Sequence, residues 1–272
     1  MSKINRKIFL LSFPILAGFS LFYIVPFLIS LYYSLVDNVN TQNFIGLKNY
    51  ISLINNKYFI HALINTLLFS IVSVILVITI SLFISFFLEN NNCFRKFFML
   101  PMLLPTTAVI FVWDLFFGTI EYRDLCKSEL GSFFTILPLY LLFLWKNTGF
   151  VVIVVSSALV NIEQEIKEAA TLDGASSYIG YLRISIPCIK NELYFSIVVS
   201  LVNSFKIYKE SSLLYEPDYP PDSIYMLQNF MNNHFQKLNY QILTSATVIF
   251  VIFISVLVIL AFRKTFDYKR KR

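Results

Sequence analysis

NIEQEIKEAATLDGASSYIGYLRISIP, residues 161–187, is a polar segment that separates two long apolar stretches of the sequence. Asn161 can cap a helix whose first turn carries acidic side chains, which the positive end of a helix dipole favours. Gly174 is well placed to end that helix because glycine readily takes a positive φ. A second short helix can begin at Ser176 or Ser177. The pattern therefore predicts a helix, a break and a second helix.

One face of the predicted first helix carries mostly small side chains. Residues at i, i+3, i+4 and i+7 lie on the same side of a helix. Here these positions hold Ile166, Ala169, Ala170 and Asp173. Side chains this short let another backbone or a groove approach closely. The face therefore fits a docking surface, although a solvated loop with some incidental helix explains the same pattern.

The composition is that of a protein embedded in a membrane. Hydrophobic residues make up 57% of the chain and charged residues only 14%, and the mean hydropathy is +0.69. An average soluble domain carries about 25% charged residues. The sequence therefore indicates a polytopic membrane protein and leaves no room for a large soluble domain.

Six apolar stretches are long enough to cross a hydrocarbon core, which takes ~20 helical residues. They lie at about 8–35, 62–88, 97–117, 133–160, 189–208 and 242–262. We expect an all-α polytopic membrane protein with six transmembrane helices, built as a single transmembrane domain over residues 1–272. The polar segment 161–187 then forms the loop between the fourth and fifth spans.

Lysine and arginine residues predict the orientation, because they are enriched in short cytoplasmic loops. With a cytoplasmic amino terminus, the inner segments hold about twice as many of these residues as the outer segments. The inner residues include Lys3, Arg6, Lys7, Arg95, Arg270, Lys271 and Arg272. Both termini and the segment 161–187 are therefore expected in the cytoplasm.

Several kinds of site are excluded by the sequence. The net charge is +6, but the basic residues form no stripe of the kind that binds nucleic acid. Cys93, Cys126 and Cys188 are far apart and lack the spacing of metal ligands. His61 and His234 have no partner at the spacing of a metal site or a catalytic triad. We therefore expect no nucleic-acid partner, no catalytic residue and no metal.

Two charged residues lie inside the apolar stretches. Asp114 is near the outer end of the third stretch, and Lys146 is halfway along the fourth. A charge at mid-membrane costs at least ~2.5–3.5 kcal/mol, so Lys146 must face a partner or a wet cavity. One interpretation is an interior Lys146–Asp114 pair or a lysine that snorkels. The other is a residue that lines a translocation path.

Other polar residues lie at a comparable depth. Asn203 and Ser204 on the fifth span are level with Asn147 on the fourth if the two helices are antiparallel. Trp145 offers an apolar face of the kind that stacks on a sugar ring, and amides donate to and accept from hydroxyls. A substrate path is therefore predicted along Trp145, Lys146, Asn147, Asn203 and Ser204. The competing interpretation is that the two asparagines only hold helices together.

A motif within the segment 161–187 carries a family resemblance. Glu168-Ala169-Ala170, three residues, Gly174, nine residues and Ile184-Ser185-Ile186-Pro187 resembles the EAA loop of membrane subunits of binding-protein-dependent ABC importers. Ile186 departs from the usual Ile-x-Leu-Pro ending, and Asp173-Gly174-Ala175 is similar to the carbohydrate-uptake branch. The resemblance implies the type I importer permease fold, in which this loop is a cytoplasmic coupling helix that docks into a cleft on the ATPase. It assigns coupling to Glu168, Ala169, Ala170, Asp173, Gly174 and Pro187.

Other segments are similar to the first permease of the maltose/multiple-sugar type. They are Phe44–Tyr50, the pair Asn65-Thr66 at the opening of the second span, and Trp145–Phe150. Residues 216–221 depart from the family, which usually shows Thr-x-Gly-Gly-Pro there. Asn65 and Thr66 are equally well explained as hydrogen-bonding groups between helices.

The resemblance also implies partners. They are a second homologous permease, two copies of an ATPase and an extracytoplasmic solute-binding protein, assembled in the lipid bilayer of a bacterial-type cell membrane. The chain has no Gly-x-x-x-x-Gly-Lys-Ser/Thr phosphate loop, so it is not the ATPase. ATP and Mg²⁺ are expected to act in the partner, with no cofactor bound by this chain. The expected function is one half of the translocation path for a sugar or related solute.

Two other classes of protein share some of these features. A stand-alone secondary transporter or channel of six spans would need an internal repeat or an ion-coordinating cluster, and the sequence shows no convincing repeat. A membrane-embedded enzyme would need clustered His, Asp or Glu at membrane depth, where only Asp114 and Lys146 are found.

Overall fold

The computed structural model describes residues 12–88, 96–215 and 220–269, and this part of the chain is almost entirely helical and contains no β-strand. The all-α fold class predicted from the sequence is confirmed. Some residues used in the sequence analysis lie outside the described ranges, namely Lys3, Arg6, Lys7, Cys93, Arg95, residues 216–219 and residues 270–272.

The helices are numbered here in chain order. They are α1 (Ser12–Tyr33), α2 (Lys48–Ile54), α3 (Lys57–Leu88), α4 (Leu100–Leu103), α5 (Thr106–Phe117), α6 (Ile120–Cys126), α7 (Gly131–Val160), α8 (Gln164–Leu172), α9 (Tyr178–Cys188), α10 (Lys190–Ser204), α11 (Tyr208–Leu214), α12 (Leu227–Gln236) and α13 (Tyr240–Lys269). Short 3₁₀ turns lie at Lys96–Met99 and Asp222–Ile224.

Four described helices are long and apolar enough to cross a membrane. They are α1, α3, α7 and the Tyr240–Ile259 part of α13. Two further stretches pass the same test only as bent pairs, Phe97–Leu103 with α5 at 99° and α9 with α10 at 75°. Counting each bent pair as one span gives six. The six-span count and its boundaries are consistent with this architecture and stay a prediction.

The two bends occur where the sequence interrupts the helix. At the first, Leu104 precedes Pro105 and is extended, with φ −74° and ψ 138°, because a proline disfavours the α conformation of the residue before it. At the second, Ile189 leaves the regular helix, with φ −97° and ψ 18°. The turn before it, Tyr181–Ser185, is a π-helix, and Pro187 removes a backbone donor. Prolines and π-turns are common causes of helix bending.

The described chain divides into two compact units. The first contains residues up to Ile60 together with Phe230–Phe253, and the second contains His61–Asn229 and the residues from Ile254 onward. The prediction of a single domain over 1–272 stays a prediction.

In the first unit, the segment after α1 is fastened to α2 by side chains. The Asn49 amide nitrogen donates to the carbonyl oxygens of Ser34 and Val36, both at 2.9 Å. The Tyr50 and Ser34 hydroxyls lie 2.6 Å apart. Gly46 adopts φ +62°, which a glycine tolerates without strain. The Gly-Leu-Lys-Asn-Tyr sequence therefore has a structural role, since it holds the start of α2 against residues 34–36.

In the second unit, α7 is the central helix. Half of the apolar window of α7 is buried, against a third of that of α3. The core combines side chains of α7 with those of α3, α9 and the 224–226 segment, including Phe69, Val77, Leu139, Phe143, Val155, Tyr181, Ile224 and Met226. The position of α7 at the centre of this core means that groups on its middle turns contact several neighbouring helices.

Pro138 leaves the Phe134 carbonyl of α7 without its usual donor, and a tyrosine from another helix supplies one. The Tyr122 hydroxyl donates to the Phe134 carbonyl at 2.5 Å, four residues before the proline. The Tyr215 hydroxyl donates to the neighbouring Thr135 carbonyl at 2.6 Å. Burial, with a smaller contribution from Cys126, raises the pKa of Tyr122 to about 12, which keeps this donor protonated.

Small residues let the helices of the second unit approach closely. On α3, Ser81 and Ser85 donate to the carbonyls of Thr148 and Val152 at 3.2 and 3.4 Å. Close contacts of this kind are typical of helix packing in membranes. At Gly149, a Cβ atom would collide with the backbone carbonyl of Phe98. Any larger residue at this position must displace the turn before α4.

Asn65 and Thr66 at the start of α3 hold the 222–227 segment. The Asn65 amide donates to the carbonyls of Asp222 and Tyr225 at 2.7 and 3.1 Å. The Thr66 hydroxyl accepts from the Leu227 amide at 2.8 Å. Both residues therefore have a structural role, as their interpretation as hydrogen-bonding groups predicts.

The contact at Gly149 gives a stability prediction. Gly149→Ala should lower the free energy of unfolding by about 1–3 kcal/mol, because a methyl group overpacks the site against the Phe98 backbone. The thermal midpoint of the purified protein in detergent measures this. Gly180→Ala is the matched control, since a Cβ there meets nothing within 4 Å. Equal midpoints for the two variants would contradict the assigned packing.

Candidate functional site

The segment 161–187 folds as two helices separated by a glycine turn. α8 ends in a Schellman arrangement, with the Ala175 amide donating to the Ala170 carbonyl and the Gly174 amide to that of Thr171, both at 3.0 Å. Gly174 has φ +81°. The predicted helix, break and helix are confirmed, and so is the role of Gly174 in ending the first helix.

The predicted start of α8 is wrong. Asn161 does not cap it; this residue ends α7, with its amide bonded to carbonyls of the last turn of that helix. α8 begins at Gln164 after Glu163, whose side chain makes no capping hydrogen bond. α7 therefore extends up to Asn161, the residue that the sequence pattern placed at the start of the next helix.

Side chains anchor the two short helices to the long ones. The Lys167 ammonium donates to the Leu159 carbonyl of α7 at 3.1 Å, near the negative end of that helix dipole. The Tyr181 hydroxyl donates to the Leu82 carbonyl of α3 at 2.8 Å, and its ring packs on Phe86 with centroids 5.0 Å apart. α8 and α9 are therefore connected to both α3 and α7.

One face of the segment 161–187 is exposed. Glu168, Ala169, Asp173 and Gly174 are exposed, whereas Ala170 is half-buried and lines a cavity of about 240 Å³ between α8 and α9. Leu172 is 89% exposed, and sequence reasoning missed it although it is an isolated apolar residue in a polar segment. Pro187 is exposed on α9 and borders another cavity beside the first turn of α10. The segment thus presents a small, partly apolar surface.

The second candidate site is a polar layer around Lys146 in the middle of α7. The Lys146 ammonium lies 2.7 Å from the Glu210 carboxylate of α11 and 2.9 Å from the Thr106 hydroxyl of α5. The side chains of Lys146 and Glu210 are only 17% and 13% exposed. The charge of Lys146 is therefore neutralised inside the protein.

The interpretation that Lys146 pairs with Asp114 is wrong. Asp114 is exposed on α5 and forms no ion pair with any described residue. Glu210 takes its place because the chain after α10 turns at residues 205–207 and resumes as α11, which packs against α5. The spacing of Asn203, Lys206 and Glu210, i, i+3 and i+7, would indicate this position only on a continuous helix, and the turn at residues 205–207 interrupts that helix.

The two asparagines of the predicted path are joined directly. The Asn203 amide nitrogen donates to the Asn147 side-chain oxygen at 2.9 Å, and the Asn147 nitrogen donates to the Phe143 carbonyl at 2.9 Å. They connect α10 to α7. Together with Lys146, Lys206 and Glu210 they line a cavity of about 230 Å³.

The other two predicted path residues lie elsewhere. Ser204 is buried, and its hydroxyl donates to the Leu201 carbonyl of its own helix. Trp145 faces a different cavity, of about 390 Å³, with Phe98 and Gly149, and its ring packs on Trp113 at 5.6 Å. The structure therefore brings together three of the five path residues, Lys146, Asn147 and Asn203. Within the described ranges no group of three or more His, Cys, Asp or Glu residues could hold a metal ion.

The sequence matches a known protein family and individual relatives. Residues 90–268 match the pattern of the binding-protein-dependent transport system inner membrane component family. An arabinooligosaccharides transport system permease protein of Bacillus subtilis (strain 168) is 27% identical over 78% of this chain and 73% of that protein. A lactose transport system permease protein of Rhizobium radiobacter is 28% identical over 72% of each chain.

Solved structures are similar over nearly the whole chain. One is a bacterial ABC transporter involved in the import of the acidic polysaccharide alginate, with a TM-score of 0.80, 20% identity and coverage of 97% of this chain and 96% of that chain. Another is a bacterial alginate ABC transporter in complex with an alginate pentasaccharide-bound periplasmic protein, with a TM-score of 0.78, 19% identity and coverage of 95% and 93%. At these identities the comparison establishes the fold.

The buried ion pair gives a second prediction. Glu210→Leu should destabilise the protein by about 3–5 kcal/mol, because it leaves Lys146 buried without its counter-charge, whereas the double variant Lys146→Met with Glu210→Leu should recover most of the loss. Thermal midpoints in detergent measure both. Asp124→Leu, which breaks the exposed pair with Lys127, serves as the control with little expected effect. A double variant as unstable as the sum of its single variants would contradict the pairing.

Proposed function

Because this chain belongs to the family of binding-protein-dependent transport system inner membrane components, we propose that it is the permease subunit of an ABC importer that forms half of the translocation path for a sugar or related solute. The match covers residues 90–268, which include the segment 161–187 and the polar layer around Lys146. The similarity to membrane subunits of solved importers supports the same fold for this chain. A stand-alone transporter or channel is disfavoured, because the family depends on a binding protein.

The carbohydrate assignment is supported by several relatives. Their names record transport of arabinooligosaccharides, lactose and starch degradation products. The identities, between 24% and 28%, are modest, and the relatives differ in the solute that they carry. We therefore assign the class of solute, a sugar or related compound, and not an individual one.

The partners follow from the division of labour in such an importer. We propose that this chain assembles with a second, homologous permease and a dimer of ATPase subunits, and that an extracytoplasmic solute-binding protein delivers the solute. ATP and Mg²⁺ act in the ATPase subunits, since no phosphate loop is present in this sequence. The family description names an inner membrane component, and several described helices are long and apolar enough to cross a membrane. The basic residues favour cytoplasmic termini.

The exposed turn at Gly174 carries the proposal for coupling. α8 presents Glu168, Ala169 and Asp173 outward, and nothing lies within 4 Å of a Cβ built on Gly174. A partner surface can therefore approach the backbone there. The bonds of Lys167 to α7 and of Tyr181 to α3 pass a displacement of this segment on to the membrane helices. This is the geometry that a coupling helix requires.

Substitution at Gly174 tests the coupling. In membranes or proteoliposomes containing the assembled importer, Gly174→Trp should lower ATP-driven solute uptake at least about tenfold while the complex still assembles. The indole alters the shape of the contact with the ATPase, and the φ of +81° strains a residue with a Cβ. Gly174→Asn separates the two causes. Asparagine tolerates a left-handed φ and has a short side chain, so it should retain most uptake. Wild-type uptake by the Gly174→Trp complex would show that this turn does not couple.

A further inference from the structure

The cavity beside the Asn147–Asn203 bond carries an excess positive charge. The cavity has a volume of about 230 Å³, and three charged side chains line it, namely Lys146, Lys206 and Glu210. Lys146 and Glu210 neutralise each other through their 2.7 Å contact. Lys206 is left over, so the cavity holds a net positive charge.

The ammonium group of Lys206 has no counter-charge in the part of the chain that the structure describes. Neither ion pair among these residues involves it, and its side chain accepts or donates no hydrogen bond there. It follows α10 in the turn at residues 205–207 and lies on the wall of the cavity with Lys146, which is at the middle of a membrane-spanning helix. Its side chain is exposed, so an anion that enters the cavity can reach the ammonium group.

We propose that this cavity binds the anionic group of an acidic solute, a sugar carboxylate or sugar phosphate, with Lys206 as the residue that selects for the charge. The proposal rests on the permease function assigned above and names the class of solute more closely. A lysine ammonium supplies a compact positive charge with three donors, which suits carboxylate and phosphate oxygens. Lys206 thereby distinguishes an acidic sugar from a neutral one.

The rest of the cavity wall suits the remainder of a sugar. The amides of Asn147 and Asn203 lie on it, and their mutual hydrogen bond leaves donor and acceptor capacity for hydroxyls. The Lys146–Glu210 pair is buried and satisfied, so it shapes the wall without adding net charge. The volume is below the ~300–1,000 Å³ of pockets that enclose drug-sized ligands. It therefore has room for only part of an oligosaccharide.

Binding to the assembled importer tests the charge preference. The probes are trigalacturonate and the neutral galactose trimer of the same linkage, measured by equilibrium dialysis on the complex in lipid nanodiscs without the solute-binding protein. The acidic probe should bind at least about tenfold more tightly, as expected for one charge-assisted contact. Lys206→Gln should remove this difference and leave the affinity for the neutral probe within about twofold.

Lys209→Gln is the matched control, because Lys209 is as exposed as Lys206 but lies on the next helix and does not line the cavity. It should keep the preference for the acidic probe. Equal affinity for the two probes, no binding of either, or an unchanged preference in Lys206→Gln would overturn the proposal. A Lys206→Gln complex that fails to assemble would also overturn it, since the lysine would then pair with a carboxylate of a neighbouring subunit.

Uptake by cells distinguishes this proposal from the assignment of function. If deletion of the chain abolishes uptake of neutral oligosaccharides and of no acidic ones, the chain is a permease and the acidic solute class is wrong. If deletion changes no solute uptake at all, the permease assignment itself fails. Loss of uptake of uronate or phosphorylated sugars supports both.

Discussion

The absence of water inside a hydrocarbon layer is the constraint on which the rest of this structure depends. Every backbone carbonyl and every charge at that depth needs a partner within the protein. The carbonyl that Pro138 frees on α7 receives the Tyr122 hydroxyl, and the charge of Lys146 receives Glu210 and Thr106. These partners come from other helices, so satisfying polar groups also fixes which helices pack around α7.

The same helix links the two candidate sites. At its carboxyl end, the Leu159 carbonyl accepts a hydrogen bond from Lys167 of the segment 161–187. At its middle, Lys146 and Asn147 bind α11 and α10. α7 therefore connects the segment 161–187 to the polar layer around Lys146. The chain that contacts α7 at these places is bent at Ile189 and turns at residues 205–207.

Features set by local chemistry could be predicted from the sequence, and features set by helix packing could not. Apolar length predicted the long helices, and the conformational freedom of glycine predicted the turn at Gly174. Of the interpretations of Lys146, the pair with Asp114 was wrong, because the sequence does not say which helices are neighbours. Glu210 lies two residues beyond the predicted fifth span, 189–208, so it was expected in the loop that follows. In the structure it lies on α11, because the chain turns at residues 205–207 and resumes as a helix.

The central claim is that this chain is the membrane subunit of an importer driven by a separate ATPase. Purifying the affinity-tagged chain from its own membranes, without overproducing any other subunit, and reconstituting the product into proteoliposomes tests this most directly. We predict that a subunit with a Gly-x-x-x-x-Gly-Lys-Ser/Thr loop co-purifies and that solute accumulates only when ATP and the solute-binding protein are supplied. A chain that purifies alone and carries solute without ATP would contradict the claim.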